Sequence, residues 1–439
     1  MLSNTRRSTS LGLFFLVLVA SALIYSIYST STDGLCGTAE GVTAPLPNPQ
    51  TFADGTPVRS ASEWWMRRRP ELRAAYETHV YGALPPAPPM QRTVIHEAST
   101  VRAGAAIRKQ ITVHFTDDAN GPQMDVLLYL PADRSEPVPA FVALNFAGNH
   151  TVAPDTALRL PRGWVRDRPD VASRSNRAIA AGRGALSHRW PIDSLLARGY
   201  ALITAHYGDV FPDHPGGFAS SVYQLDPRPK DRPENGGAIS AWAWGLHRLM
   251  DVAARTPAID SSRVILVGHS RLGKAALWAA ATDKRFAAVV GNASGLAGAA
   301  LFRRRCGKTL EYVHRKNPHW FTATVGRYHG QDSKLPIDQH LLLALSAPRP
   351  LLVNAMTDDD GADPVGMFLA AKHAAPVWAF LGTEGLATDT LPPPDHPVLS
   401  RVGFRLRTGD HGIEPSDWSA FLAFADRHVV ARNGITARR

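Results

Sequence analysis

Cysteine is nearly absent: Cys36 and Cys306 are the only two in 439 residues. They are far apart and lack the paired spacing of a metal-ligand set. A disulfide-stapled fold and a cysteine-built metal centre are therefore excluded, which leaves one structural bridge or two separate thiols. Charge is sparse as well, at 20% of residues against 44% apolar, which suits a chain that buries a core and not a disordered one. The formal net charge is +10. No zinc-finger or aromatic RNA-binding signature accompanies the scattered arginines, so the excess reads as a basic surface with no nucleic acid partner.

Long apolar runs are also missing, with one exception. Leu11 to Tyr28 is a stretch of 18 residues without a charge, preceded by Arg6 and Arg7. A basic segment before an apolar one marks export, and this length is also the lower limit for a membrane-spanning helix. Residues 1–32 thus read as a signal peptide or a retained N-terminal anchor, and both alternatives stand. Either way the expected location is periplasmic or secreted, with membrane contact only through that anchor. Residues 33–60, rich in Gly, Pro, Thr and Ala without periodicity, read as a linker. The remaining 61–435 is expected to fold as one domain of a monomer.

Within that domain, strand and helix patterns alternate. Glu63 to Tyr81 looks helical. Lys109 to Thr116 and Met124 to Leu130 read as an antiparallel pair joined by the D-D-A-N-G turn. Ala140 to Phe146, Gly199 to Ala205, Val264 to Val267, Phe286 to Val290 and Pro350 to Asn354 are continuous apolar runs, as in strands buried on both faces. Val402 to Leu406 is a shorter one. The fold class that follows is α/β, a mainly parallel central sheet covered by helices on both faces. Residues 151–190 and 208–236 are long irregular stretches, a feature usually tied to function.

The chemistry centres on R-V-I-L-V-G-H-S-R-L-G-K-A-A-L-W, residues 263–278. A β-branched run, a sharp glycine-flanked turn and an alanine-rich helix place Ser270 at the tip, exposed and close to the positive helix end. The match to G-x-S-x-G is imperfect, because Leu272 occupies the second glycine's place and Gly273 follows it. A nucleophilic serine needs a base and an acid to orient that base. In α/β-hydrolases these follow the serine in the order acid, then histidine. Downstream, M-T-D-D-D-G-A-D-P offers Asp358, Asp359, Asp360 and Asp363, and R-T-G-D-H-G-I-E-P offers His411. The aspartates do not have the spacing of a calcium loop, so neither a metal nor another cofactor is expected. His269 reads as a local hydrogen-bonding residue. The A-G-N-H segment at 147–150 reads as a wall of the site. Arg271 is placed to stabilise an oxyanion, and Lys274 to meet a polar or acidic substrate.

The stretch G-H-S-R-L-G-K-A-A-L-W-A-A-A-T-D-K-R-F resembles the nucleophile motif G-x-S-R-x-G-K of bacterial glucuronoyl esterases, carbohydrate esterase family 15. Supporting segments are L-N-F-A-G-N-H-T, R-W-P-I-D, R-G-Y-A-L-I-T-A-H-Y-G-D, G-A-I-S-A-W-A-W-G-L and P-I-D-Q-H-L-L-L-A-L-S-A-P-R-P, over roughly residues 60–432. The resemblance implies an α/β-hydrolase three-layer sandwich and metal-free serine hydrolysis of glucuronate esters of xylan. It implies Ser270 as nucleophile, His411 as base and Arg271 at the oxyanion, with Lys274, Lys308 and Trp320 contacting substrate. The glutamate that serves many members as acid is replaced by Ala293, and the family's alternative acid falls on Asp359. Gly361 stands where a tryptophan is common, and Lys308 where a glutamate is. Those two departures leave an esterase for another carbohydrate ester, such as acetylxylan or a methyl uronate, as an open alternative. A sugar-binding envelope protein without catalysis is the remaining one.

Overall fold

The computed structural model describes residues 41–88, 91–228 and 235–431. The leader, Cys36 and the last few residues of the expected domain lie outside the described residues. Among those described, no helix is long and apolar enough to cross a membrane.

Nine strands form one sheet in the order β1-β2-β3-β5-β4-β6-β7-β8-β9. They are β1 (Arg92–Val101), β2 (Ala106–His114), β3 (Gln123–Pro131), β4 (Val138–Asn145), β5 (Ala201–His206), β6 (Ile259–His269), β7 (Ala288–Asn292), β8 (Leu351–Met356) and β9 (Val402–Arg407). The pairings β1/β2, β2/β3 and β3/β5 are antiparallel, and all the others are parallel. The parallel strands β4, β5, β7, β8 and β9 are buried along their whole length, which is why they appear in the sequence as unbroken apolar runs.

Two apolar clusters flank the sheet, a large one under the helices Ala238–Ala254 and Arg271–Thr282 and a smaller one under Pro415–Ala425. Sheet and flanking helices make the three-layer sandwich. The first two helices are buried nearly all round, as expected of alanine-rich helices with no polar face to solvate. Trp278 Nε1 donates to Ser240 Oγ at 3.0 Å across their contact.

Two sequence readings need correction. Strand β1 is absent from the expectations because it is an exposed edge with no buried residue and hence no alternation to detect. The linker assignment for 33–60 fails from residue 41 onward. Phe52 and Val58 are 6% and 5% exposed and join the main cluster. Thr43 bonds through N–H to the Arg303 carbonyl at 2.8 Å, and the Pro47 carbonyl pairs with His340 Nε2 at 2.7 Å. Proline and polar residues hide the two apolar anchors from a periodicity search. If this strap is part of the domain, Phe52→Ala costs about 3 kcal/mol by urea unfolding, because the Phe52 ring is buried beneath the Arg67 guanidinium, 4.2 Å from its centroid. A linker residue would cost nothing.

Candidate active site

Strand β6 ends at His269, and the helix begins at Arg271. Ser270 between them has φ 57° and ψ −127°, a conformation that non-glycine residues avoid and that turns a strand into a helix within one residue. Its N–H is bonded to the Asn292 carbonyl at 2.9 Å, and its carbonyl accepts from the N–H groups of Gly273 and Lys274 at 2.9 and 3.2 Å. Any Cβ at position 268 would stand 2.1 Å from the Leu272 carbonyl oxygen, so the first glycine is sterically required. A Cβ at position 273 would lie 3.0 Å from the Gly268 oxygen and from Ser294 Cβ. The displaced second glycine therefore serves the same close packing one residue later.

His411 stands in the loop after β9, exposed, and its Nδ1 pairs with Asp359 Oδ2 at 2.6 Å. Asp359 is itself 9% exposed and lies just beyond β8. With the Nδ1 proton directed to the carboxylate, Nε2 carries the lone pair. Asp358 and Asp363 have other partners. Asp358 accepts from Thr357 Oγ1 at 2.7 Å. Asp363 pairs with Arg304 at 2.8 Å and accepts from the Gly366 N–H at 2.9 Å, and burial pushes its carboxyl up to about 6. Asp360 is exposed. Among the described residues Ser270 Oγ makes no hydrogen bond to His411, a contact that commonly tightens only with substrate.

His269 lies beneath the His411 ring, 4.8 Å between centroids, and accepts from Asn292 Nδ2 at 2.9 Å through Nδ1. Burial, then the His411 and Arg189 charges, hold His269 well below the usual histidine range, so it is neutral. Asn292 Nδ2 also donates to the Gly412 carbonyl at 3.1 Å, next to His411 in sequence. Ala293, which replaces the glutamate carried by many members of the family, is buried with φ 46°.

Arg271 is the first residue of its helix, so its N–H belongs to the groups without an intrahelical acceptor. Its guanidinium lies over the rings of Trp320 and Phe146, 5.1 and 5.8 Å from their centroids, and Nη1 donates to Asp213 Oδ2. The 147–150 segment contributes differently from expectation. The Gly148 N–H donates to Asn145 Oδ1 at 2.8 Å, and it is Phe146 that borders the serine turn, its ring 6.1 Å from that of His269. Trp320 is 7% exposed and its Nε1 donates to Asp213 Oδ1 at 2.7 Å. Its polar edge thus faces inward, with the ring against Arg271 and not open to solvent.

Lys274 is buried, with Nζ donating to the Ser294 carbonyl and, at 2.7 Å, to the Leu296 carbonyl. Burial, together with the charges of Lys308 and Arg271, lowers its ammonium to about 7. Lys308 is exposed and crosses Gly361: a Cβ there would meet Lys308 Cε and Nζ at 3.0 Å. The two departures from the family pattern are thus in contact, the lysine chain occupying space that a larger residue at 361 would need. Asp213, which sequence reasoning missed, sits in the proline-rich loop after β5 and receives donors from four separate segments. No local pattern could have singled it out.

A family model described as "Glucuronyl esterase, fungi" matches residues 217–382. A carbohydrate esterase, MZ0003, from an unknown prokaryotic organism is 43% identical over 391 residues, covering 88% of this chain and 90% of the relative. The solved glucuronoyl esterase from Solibacter usitatus superposes with a TM-score of 0.84 at 38% identity, covering 89% of this chain and 100% of the other. A structure described as a promiscuous CE15 esterase from a marine bacterial metagenome gives 0.83 at 40% identity, covering 89% and 99%. An α/β-hydrolase sheet, a strained serine turn and these relatives together make the chain a member of carbohydrate esterase family 15, the glucuronoyl esterases.

Proposed function

We propose that this carboxylic ester hydrolase cleaves glucuronate esters of xylan, of the kind that join uronic acid side groups to alcohols of lignin, outside the cytoplasm. The observation that carries the residue roles is the 2.6 Å pair of His411 and Asp359 near a serine held at positive φ. In this reading Ser270 Oγ attacks the ester carbonyl carbon while His411 Nε2 takes its proton. The carbonyl oxygen becomes an oxyanion stabilised by the Arg271 side chain and main-chain N–H. Collapse breaks the bond to the alcohol oxygen, which receives the proton from His411. Water then repeats the sequence on the acyl-serine and releases the uronic acid. Asp359 keeps the imidazole in the required tautomer and stabilises the imidazolium.

Lys274 and Lys308 supply the positive wall against which an acidic or polyhydroxylated acyl group rests. Lys308 lying across Gly361, with no stacking ring there, supports a broader ester range as a second reading. It predicts measurable turnover of acetylated xylan beside a benzyl glucuronate. Turnover of the glucuronate alone would confine the enzyme to uronate esters.

Ser270→Ala should abolish hydrolysis of benzyl glucuronate, and residual turnover at the wild-type rate would remove Ser270 from the chemistry. Asp359→Asn should lower kcat by roughly 10³- to 10⁴-fold, whereas Asp363→Asn should act mainly on stability; the reverse pattern would move the acid to Asp363. Lys274 also links stability to pH. Its native ammonium titrates near 7, against 10.5 for an ordinary lysine. Between those values the unfolded chain holds the extra proton, so stability rises with pH. The buried charge is a full cost below pH 7, and the cost is relieved as pH climbs toward 10.5. Compared with Lys274→Met, the wild type should gain about 3 kcal/mol between pH 6.5 and 9 in urea unfolding.

A further inference from the structure

Asp213 is the most heavily coordinated carboxylate beside the serine turn, and the proposed chemistry does not use it. Its side chain has no solvent exposure. Oδ1 accepts from His319 Nε2 at 2.8 Å and from Trp320 Nε1 at 2.7 Å. Oδ2 accepts from Arg271 Nη1, from Arg166 Nη2 at 2.9 Å and from the Tyr207 hydroxyl at 3.3 Å. Burial alone would raise this carboxyl, but the His319 hydrogen bond, the Arg271 charge, the Trp320 N–H and the Arg166 charge outweigh it and hold Asp213 well below the usual carboxylate range. It is an anion at any working pH.

The consequence falls on Arg271. A guanidinium on a flexible stem has many rotamers, and ordering it costs on the order of 1–2 kcal/mol. Here one end is tied to a fixed anion while both ring faces that flank it, Trp320 and Phe146, prevent it from swinging out. Trp320 is itself fixed by the same carboxylate, so Asp213 sets the position of the cation and of the ring that backs it. Arg166 and His319, on the far side, extend the anchor to an open cleft of about 760 Å³ that Asp213 also lines. An oxyanion donor must be in place before charge develops, since its advantage over water is that nothing reorganises in the transition state.

We infer that Asp213 is a positioning residue for the hydrolytic step, acting through Arg271 and Trp320 to pre-set the guanidinium that receives the oxyanion. This inference rests on the oxyanion role proposed above for Arg271, and the test separates the two.

The experiment is a double-mutant cycle on kcat and KM for benzyl glucuronate with Asp213→Asn, Arg271→Ala and the double variant, each checked for native melting. Asp213→Asn should lower kcat by roughly 10- to 100-fold with KM changed less than about threefold. In the Arg271→Ala background the same substitution should change kcat by less than about threefold. Undiminished kcat in Asp213→Asn, or losses that multiply in the double variant, would overturn the inference. Undiminished kcat in Arg271→Ala would instead overturn the oxyanion role on which it rests. Where Asp213→Asn does not fold, Trp320→Phe removes one Asp213 contact and nearly preserves the ring. It should lower kcat by roughly 3- to 10-fold in the wild type and not in Arg271→Ala, and an equal loss in both backgrounds would again overturn the inference.

Discussion

The backbone at Ser270 is the constraint on which the rest depends. A serine at φ 57° and ψ −127° costs about 1–3 kcal/mol relative to an unstrained residue and persists only where its surroundings over-determine it. They do so here from three sides. Strand β7 holds the Ser270 N–H through the Asn292 carbonyl. Gly268 lets the helix carbonyl of Leu272 approach where no Cβ fits. The helix that follows is anchored by ten consecutive buried residues from Leu272 to Ala281, which stabilise its position far more than the strained residue destabilises it. The alanine-rich core of the domain is in this sense part of the site, because larger side chains there would push the helix outward and flatten the turn.

A second support runs behind the histidine. Asn292 accepts from Asn354 Nδ2 at 2.6 Å, and Asn354 Nδ2 in turn donates to Asp417 Oδ1 at 2.9 Å. Asp417, fully buried, pairs with Arg405 at 2.5 Å and Arg407 at 3.1 Å. This chain of buried polar groups crosses β7, β8 and β9 and reaches the helix Pro415–Ala425. Buried charges of this kind contribute little net stability, but losing one partner is expensive, so they fix register. The elements it locks together are those that carry Ser270's acceptor, Asp359 and His411. The His411 loop is short and exposed, and it owes its placement to the Gly412 carbonyl held by Asn292 and to Arg407, whose Nη2 donates to the Asp410 carbonyl at 2.7 Å.

Much of this was legible in the sequence because it is local. The buried strands announce themselves as apolar runs, the turn by its glycines, and the proposed acid and base by their position at strand ends. Where four aspartates competed, spacing could not choose. The choice lies in which carboxylate reaches His411 and which is consumed by Arg304 and a helix N-terminus. Other features were illegible for a common reason. The strap at 41–60 folds through two isolated anchors, Phe52 and Val58. Strand β1 has no apolar face. Asp213 looks like one more acid in a proline-rich loop, since its donors come from residues 166, 207, 271, 319 and 320. The resemblance implies Trp320 as a substrate contact, and the bond of its indole N–H to Asp213 is something a sequence does not record.

The same geometry separates two cations that sequence presents as a pair. Arg271 and Lys274 lie one turn apart on one helix, yet their environments are opposite. Arg271 meets a buried carboxylate and two aromatic faces, surroundings that hold its guanidinium in one orientation. Lys274 meets two carbonyl oxygens and the repulsion of Lys308 and Arg271, so its proton is held only weakly near neutrality. In the proposed reaction an oxyanion forms and vanishes in each turnover and calls for a fixed donor, the role proposed for Arg271. For the substrate contact proposed for Lys274, a bound anion would restore the proton that burial weakens. The two cations at this helix start are therefore held in different ways, Arg271 by a buried anion and Lys274 by neutral carbonyls.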